Sequence, residues 1–72
     1  MIRYQNHSGN SGVIGYEISE TAIRIWFRNG DDYRYTYKSA GQKNIENMKT
    51  LAVSGNGLTT YINQHVSEKY EK

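Results

Sequence analysis

Ile23-Arg24-Ile25-Trp26-Phe27-Arg28-Asn29-Gly30-Asp31-Asp32-Tyr33-Arg34-Tyr35-Thr36-Tyr37 is the stretch that decides the fold. Ile23, Ile25 and Phe27 alternate with Arg24, Trp26 and Arg28, and Tyr33, Tyr35 and Tyr37 alternate with Arg34, Thr36 and Lys38. Period-two alternation of β-branched and aromatic residues around an Asn-Gly turn predicts a β-hairpin. A two-residue Asn29-Gly30 loop would set Phe27 opposite Asp32 and Trp26 opposite Tyr33, mixing an acid into the apolar face. A three-residue loop, Asn29-Gly30-Asp31, instead sets Phe27 opposite Tyr33, Ile25 opposite Tyr35 and Ile23 opposite Tyr37. One face is then wholly apolar. The other carries Arg24, Trp26 and Arg28 opposite Thr36, Arg34 and Asp32, with Lys38 beyond. The three-residue register is the one expected.

Upstream, Val13 to Ile18 reads as a strand, with Ile14, Tyr16 and Ile18 pointing one way. A short Ser19-Glu20-Thr21-Ala22 connection sets Ile18 opposite Ile23, Tyr16 opposite Ile25, Ile14 opposite Phe27 and Glu17 opposite Arg24. Trp26 then lies across from Gly15, an aromatic beside a strand glycine. Residues 1–12 are polar and aperiodic and are expected to form a flexible lead-in, although Ile2 and Tyr4 have the spacing of a short edge strand.

An apolar sheet face needs a cover, and the rest of the chain offers helices. Ser39 followed by Gln42 fits a capping box, Ile45, Met48, Leu51 and Ala52 recur at helical spacing, and Gly55 is a natural stop. A second helix begins near Asn56 or Gly57, with Leu58, Tyr61, Ile62, His65 and Val66 on its stripe. The charged tail from Glu68 is expected to fray. The predicted fold is α+β: a three-stranded antiparallel β-meander followed by two helices packed on one face, in a single domain over residues 13–70.

Composition bounds the function. A chain of 72 residues makes one small domain, burying about 60% of its unfolded surface. The net charge of +2 and a sequence pI of about 9.0 permit an anionic partner without demanding one. With no cysteine there is neither a disulfide framework nor a thiolate metal site. No apolar run is long enough for a membrane span and no signal-peptide pattern opens the chain, so the cytosol is the default location.

The order Ile14-Gly15-Tyr16, then Ile23 to Phe27 leading to Gly30, then Tyr33-Arg34-Tyr35, resembles the KTSC domain, a small family named after the C-terminus of lysyl-tRNA synthetase. The Tyr33/Tyr35 pair, Ala52-Val53-Ser54, the glycines at 55 and 57, and Tyr70 are similar to that family's marks. The spacing from Ser54 to Gly57 is one residue longer than its pattern, and no proline follows the Tyr-x-Tyr strand. These departures imply an extended first helix, as in a stand-alone branch of the family. The association with a synthetase implies RNA binding.

Two readings of the residues stand. In the first, Arg24, Trp26, Arg28, Arg34 and Lys38 form a basic sheet face with one exposed indole, suited to phosphates and a stacked base, so the chain is a small non-catalytic RNA- or nucleic-acid-binding module. The plain counterpart is an ordinary solvated face with Arg24 paired to Glu17 and Arg28 to Asp32. In the second, Trp26 or an open sheet edge contacts a protein partner or a second copy. Tyr33, Tyr35 and Tyr37 are expected as half-buried core residues rather than base-stacking platforms. His65 is expected as a core residue on its helix stripe. Two distant histidines make no metal site, no catalytic constellation is present, and no cofactor is expected. Gly55-Asn56-Gly57 reads as a pair of helix caps rather than an anion cradle.

Overall fold

The computed structural model describes residues 1–7, 9 and 11–71. It is an α+β fold with a four-stranded antiparallel sheet in the order β1-β2-β3-β4. The strands are β1 (Ile2–Arg3), β2 (Val13–Ser19), β3 (Ala22–Phe27) and β4 (Asp32–Thr36). Three helices follow: α1 (Tyr37–Ala40), α2 (Gln42–Ser54) and α3 (Leu58–Tyr61), the last running on into a π-helical turn over Ile62–Val66.

The hairpin that decides the fold keeps its predicted faces but shifts its register by two residues. Ile25 pairs with Tyr33 and Ile23 with Tyr35. The loop has three residues, as expected, but they are Arg28-Asn29-Gly30. The Phe27 N–H donates to the Asp31 carbonyl and the Gly30 N–H to the Phe27 carbonyl. Gly30 carries the left-handed φ of 95° that closes a three-residue hairpin loop. The Asn29 side chain adds a local turn by accepting the Asp31 N–H. A shift of two, unlike a shift of one, leaves every side chain on its own face. Local turn chemistry therefore chose between registers that the hydrophobic pattern rates equally.

The same shift ends β4 early. Thr36 becomes an N-cap, its side chain accepting from the Ser39 N–H while Ser39 reaches back to Thr36, and Tyr37 enters α1 instead of extending the strand. The capping box is thus Thr36/Ser39 rather than Ser39/Gln42. The β2–β3 pairings Ile18↔Ile23, Tyr16↔Ile25 and Glu17↔Arg24 form as expected, closed by Glu20-Thr21. A bulge between Val13 and Gly15 then turns Ile14 out to solvent, and Val13, not Ile14, meets Phe27 and enters the core. Ile18, near the end of β2, is also partly exposed.

One sheet face carries the core. Tyr16, Ile23, Ile25 and Tyr35 pack against Ile45, Met48, Ala52, Leu58, Ile62 and Val66. Burying each of the large aliphatics contributes roughly 1.5–3 kcal/mol. Gly55 ends α2 with φ of 76°, as expected, its N–H donating back to Leu51 and Ala52. His65 is exposed and lies against the Tyr61 ring, so it is not the core residue its stripe position suggested.

Both ends of the chain join the body, which corrects two expectations. β1 pairs with β2, and Tyr4 is buried with its hydroxyl accepting the Leu58 N–H at 3.2 Å. His7 donates its N–H to the Gly55 carbonyl, and the hydroxyls of Ser11 and Thr59 are hydrogen-bonded. At the other end, Tyr70 stacks on Tyr33 and meets Tyr35 edge-on, while the Glu71 N–H donates to the Arg34 carbonyl on the outer edge of β4. The tail thereby covers a strand edge that would otherwise be open. Of the charged tail expected to fray, Lys72 lies outside the described residues, as do Ser8 and Asn10 of the lead-in.

Candidate nucleic-acid interface

The face of β3 turned away from the helices carries Arg24 and Trp26 in alternation with the buried Ile23 and Ile25. Arg24 is flanked by Glu17 on β2 and Arg34 on β4. Two arginines directly opposite each other on adjacent strands repel. Here each has an acid: Arg24 pairs with Asp32 at 3.2 Å, and Arg34 pairs with Glu71 at 2.9 Å. The expected partners, Glu17 for Arg24 and Asp32 for Arg28, are therefore replaced. Both pairs are close to half exposed, so they contribute little to stability and remain open to competition by another anion.

Trp26 is half-buried, with the Arg24 guanidinium 5.6 Å from its ring centroid. Its cross-strand neighbour on β2 is Gly15, as the sequence implied. The space a Cβ on Gly15 would need is taken by the Met1 side chain. Beyond Gly15 on the same row stands Arg3 of β1.

The five cationic and aromatic candidates do not gather in one patch. Arg24, Trp26 and Arg34 share the outer face. Arg28 belongs to the hairpin loop at one end of the sheet, where its N–H and its Nη2 donate to the carbonyls of Gly12 and Ser11. Lys38 sits in α1, after the far end of β4 where Tyr37 donates to Thr21. The shift in register and the early end of β4 carried Lys38 off the sheet. Arg3 was missed because residues 1–12 were read as loose. Its signal was the Ile2-Arg3-Tyr4 alternation, which places an arginine on the face opposite a buried tyrosine.

The tyrosines belong to the core side. Tyr35 is 1% exposed, and burial pushes its hydroxyl up to about 12. Tyr33 is held above the usual tyrosine range first by the neighbouring Asp31 carboxylate. Tyr37 is raised through the hydrogen bond its hydroxyl donates to Glu46 at 2.6 Å. Glu46 is in turn held below the usual carboxylate range by Lys49 and then by Tyr37. Tyr70 stacks on Tyr33, and of these rings only Tyr35 is fully buried.

Among the described residues no group of three or more His, Asp or Glu side chains is placed to hold a metal ion, and no helix is long and apolar enough to cross a membrane. In comparisons with family models, curated proteins and solved structures, no match to the chain was found. The KTSC resemblance accordingly rests on the residues that carry it.

Proposed function

We propose that the protein is a small non-catalytic binding module, working in the cytosol, whose outer sheet face takes single-stranded nucleic acid, RNA in preference. One observation carries this reading: the uncovered face presents a half-buried Trp26 beside the Arg24 guanidinium, with Arg3 on the same cross-strand row. Trp26 supplies a surface for one base. Arg24 exchanges its Asp32 partner for a phosphate, and Arg3 and Arg28 hold the strand on the β1 side. The KTSC resemblance points the same way through its association with a synthetase.

An NMR titration with a short single-stranded RNA tests the proposal. Shifts should centre on the Trp26 indole and Arg24. With about three phosphates neutralised, raising salt from about 50 to 200 mM should weaken binding roughly twentyfold. Trp26→Ala and Arg24→Glu should each abolish the shifts. Binding that ignores salt, or that survives both substitutions, would sink the reading.

A second reading is favoured by a separate observation. β1 leaves the outer edge of β2 from Glu17 to Ser19 without a strand among the described residues, and Ile2 and Ile18 there are 56% and 38% exposed. A second copy could pair along that edge. Sedimentation equilibrium would show a mass rising with concentration and an Ile18→Lys variant held as monomer. A constant monomer mass would exclude it.

A further inference from the structure

A cleft of about 420 Å³ opens where β1 meets the bulge of β2. Its lining includes the buried Tyr4 and Val13, the exposed Met1 and Ile14, and the two arginines Arg3 and Arg28. No acidic side chain lines it. That is a meaningful asymmetry, because the ion pairs of the described residues use Arg24, Arg34 and Lys49. The Arg3 side chain has no hydrogen-bond or ion partner among the described residues, and Arg28 has only the Ser11 carbonyl for its guanidinium.

Two arginines line one recess that no carboxylate lines, which gives it a positive potential. An anion bound there is drawn by that potential. A phosphate monoester suits the pair best, since its double charge and three free oxygens accept the planar donor forks of two arginines at once. Of the remaining walls, Gln5 and Asn6 are polar and Met1, Tyr4, Val13 and Ile14 largely apolar; Met1 and Ile14 are 66% and 41% exposed, a state that a ligand body would relieve. The volume lies in the range of small-ligand sites.

We infer that this cleft is a binding site for a small organic phosphomonoester, with the phosphate between Arg3 and Arg28 and the apolar body against Met1 and Ile14. The cleft shares Arg3 and Arg28 with the strand path of the proposed nucleic-acid interface but takes its ligand without Trp26. The β2 bulge is what builds it, by turning Ile14 outward beside β1.

The test is an NMR titration of the full chain with phenyl phosphate, and in parallel with inorganic phosphate, at constant ionic strength. Phenyl phosphate should give saturable shifts at the amides of Arg3, Ile14 and Arg28, and inorganic phosphate should bind several-fold more weakly. Arg3→Glu, at an exposed side chain with no partner among the described residues, should weaken phenyl phosphate by about tenfold or more. Arg28→Gln should weaken it too, and if that variant unfolds for loss of its Ser11 contact, the Arg3 variant decides alone. Trp26→Ala should leave it unchanged. Absence of saturable shifts, equal binding by the Arg3→Glu variant, or inorganic phosphate binding as tightly as phenyl phosphate would overturn the proposal.

Discussion

Replacing Tyr4 by phenylalanine isolates one hydrogen bond on which the docking of the N-terminal segment depends. The Tyr4 hydroxyl accepts the Leu58 N–H at 3.2 Å, where Tyr4 is 3% and Leu58 0% exposed. Leu58 opens α3, so its N–H has no partner within the helix. Tyr4→Phe keeps the ring and its packing on the core but deletes the acceptor. An N–H left unpaired in a dry site costs about 1–3 kcal/mol. Each kcal/mol lowers the melting temperature by roughly 4–8 °C in a domain of this size, so a fall of about 4 to 24 °C is expected. That is a large part of the few kcal/mol such a chain commands. Urea unfolding followed by Trp26 fluorescence gives the free energy, and hydrogen exchange at the Leu58 amide locates it. Tyr4→Ala, which also empties the ring's site, should cost about 3–5 kcal/mol. A Tyr4→Phe midpoint equal to the parent's, with Leu58 exchange unchanged, would refute the docking and return residues 1–7 to the status of a loose arm.

Other perturbations probe the remaining joints. Gly55→Ala forces a non-glycine residue to a φ of 76° and sets its Cβ 2.8 Å from the Gln5 Cβ, so a loss of about 1–3 kcal/mol is expected in urea melts. The Tyr35 hydroxyl, pushed up to about 12 by burial, keeps its proton more tightly folded than unfolded. Its stabilising contribution is complete below the ordinary tyrosine value of about 10 and is lost as pH rises towards 12, and Tyr35→Phe should flatten that decline in pH-dependent melts. Tyr70→Ala should cost about 1 kcal/mol or more through its stacking on Tyr33, whereas Glu71→Gln, at a pair nearly half exposed, should change stability by under about 0.5 kcal/mol in the same assay.

The alternation of Ile23, Ile25, Tyr33 and Tyr35 was enough to set the sheet, its faces and the helices that cover it. Side-chain period fixes parity, and parity survives a shift of two. Register itself was not legible, because it depended on which residue of Arg28-Asn29-Gly30-Asp31 took the left-handed conformation. Gly30 at the third loop position settles that, and the consequences run outward: β4 ends at Thr36, Lys38 leaves the sheet, and Arg24 finds Asp32. The bulge at Ile14 left no mark in the sequence, since Val13 and Ile14 are equally suited to the core. The segments read as loose were misjudged for one reason. Single residues, Tyr4 and Tyr70, anchor them through long-range contacts, and periodicity detects repeated positions but not anchors. Of the candidate site, the placement of Arg24 and Trp26 beside Gly15 was readable, whereas Arg3 and the cleft were not.

On the proposed reading, the positions of the acids decide from which side an anion approaches the outer face. Asp32 and Glu71 lie on the β4 side and occupy Arg24 and Arg34, and Asp31 beside the hairpin loop accepts from the Tyr33 hydroxyl. The β1 side has Arg3 and Arg28 and no acid at the cleft. A phosphate arriving over β4 must displace a carboxylate before gaining an arginine. One arriving over β1 meets unpaired guanidiniums first. Exchange of an exposed pair costs little, so on that reading Arg24 engages second, once a strand is held at Arg3 and Arg28 and a base reaches Trp26. This order makes Arg3 the residue whose charge reversal should slow association most, while Arg24→Glu should act mainly on the lifetime of the complex. Stopped-flow measurement of Trp26 fluorescence with single-stranded RNA separates the two rates. Equal slowing of association by both variants would mean that the strand engages the whole face at once.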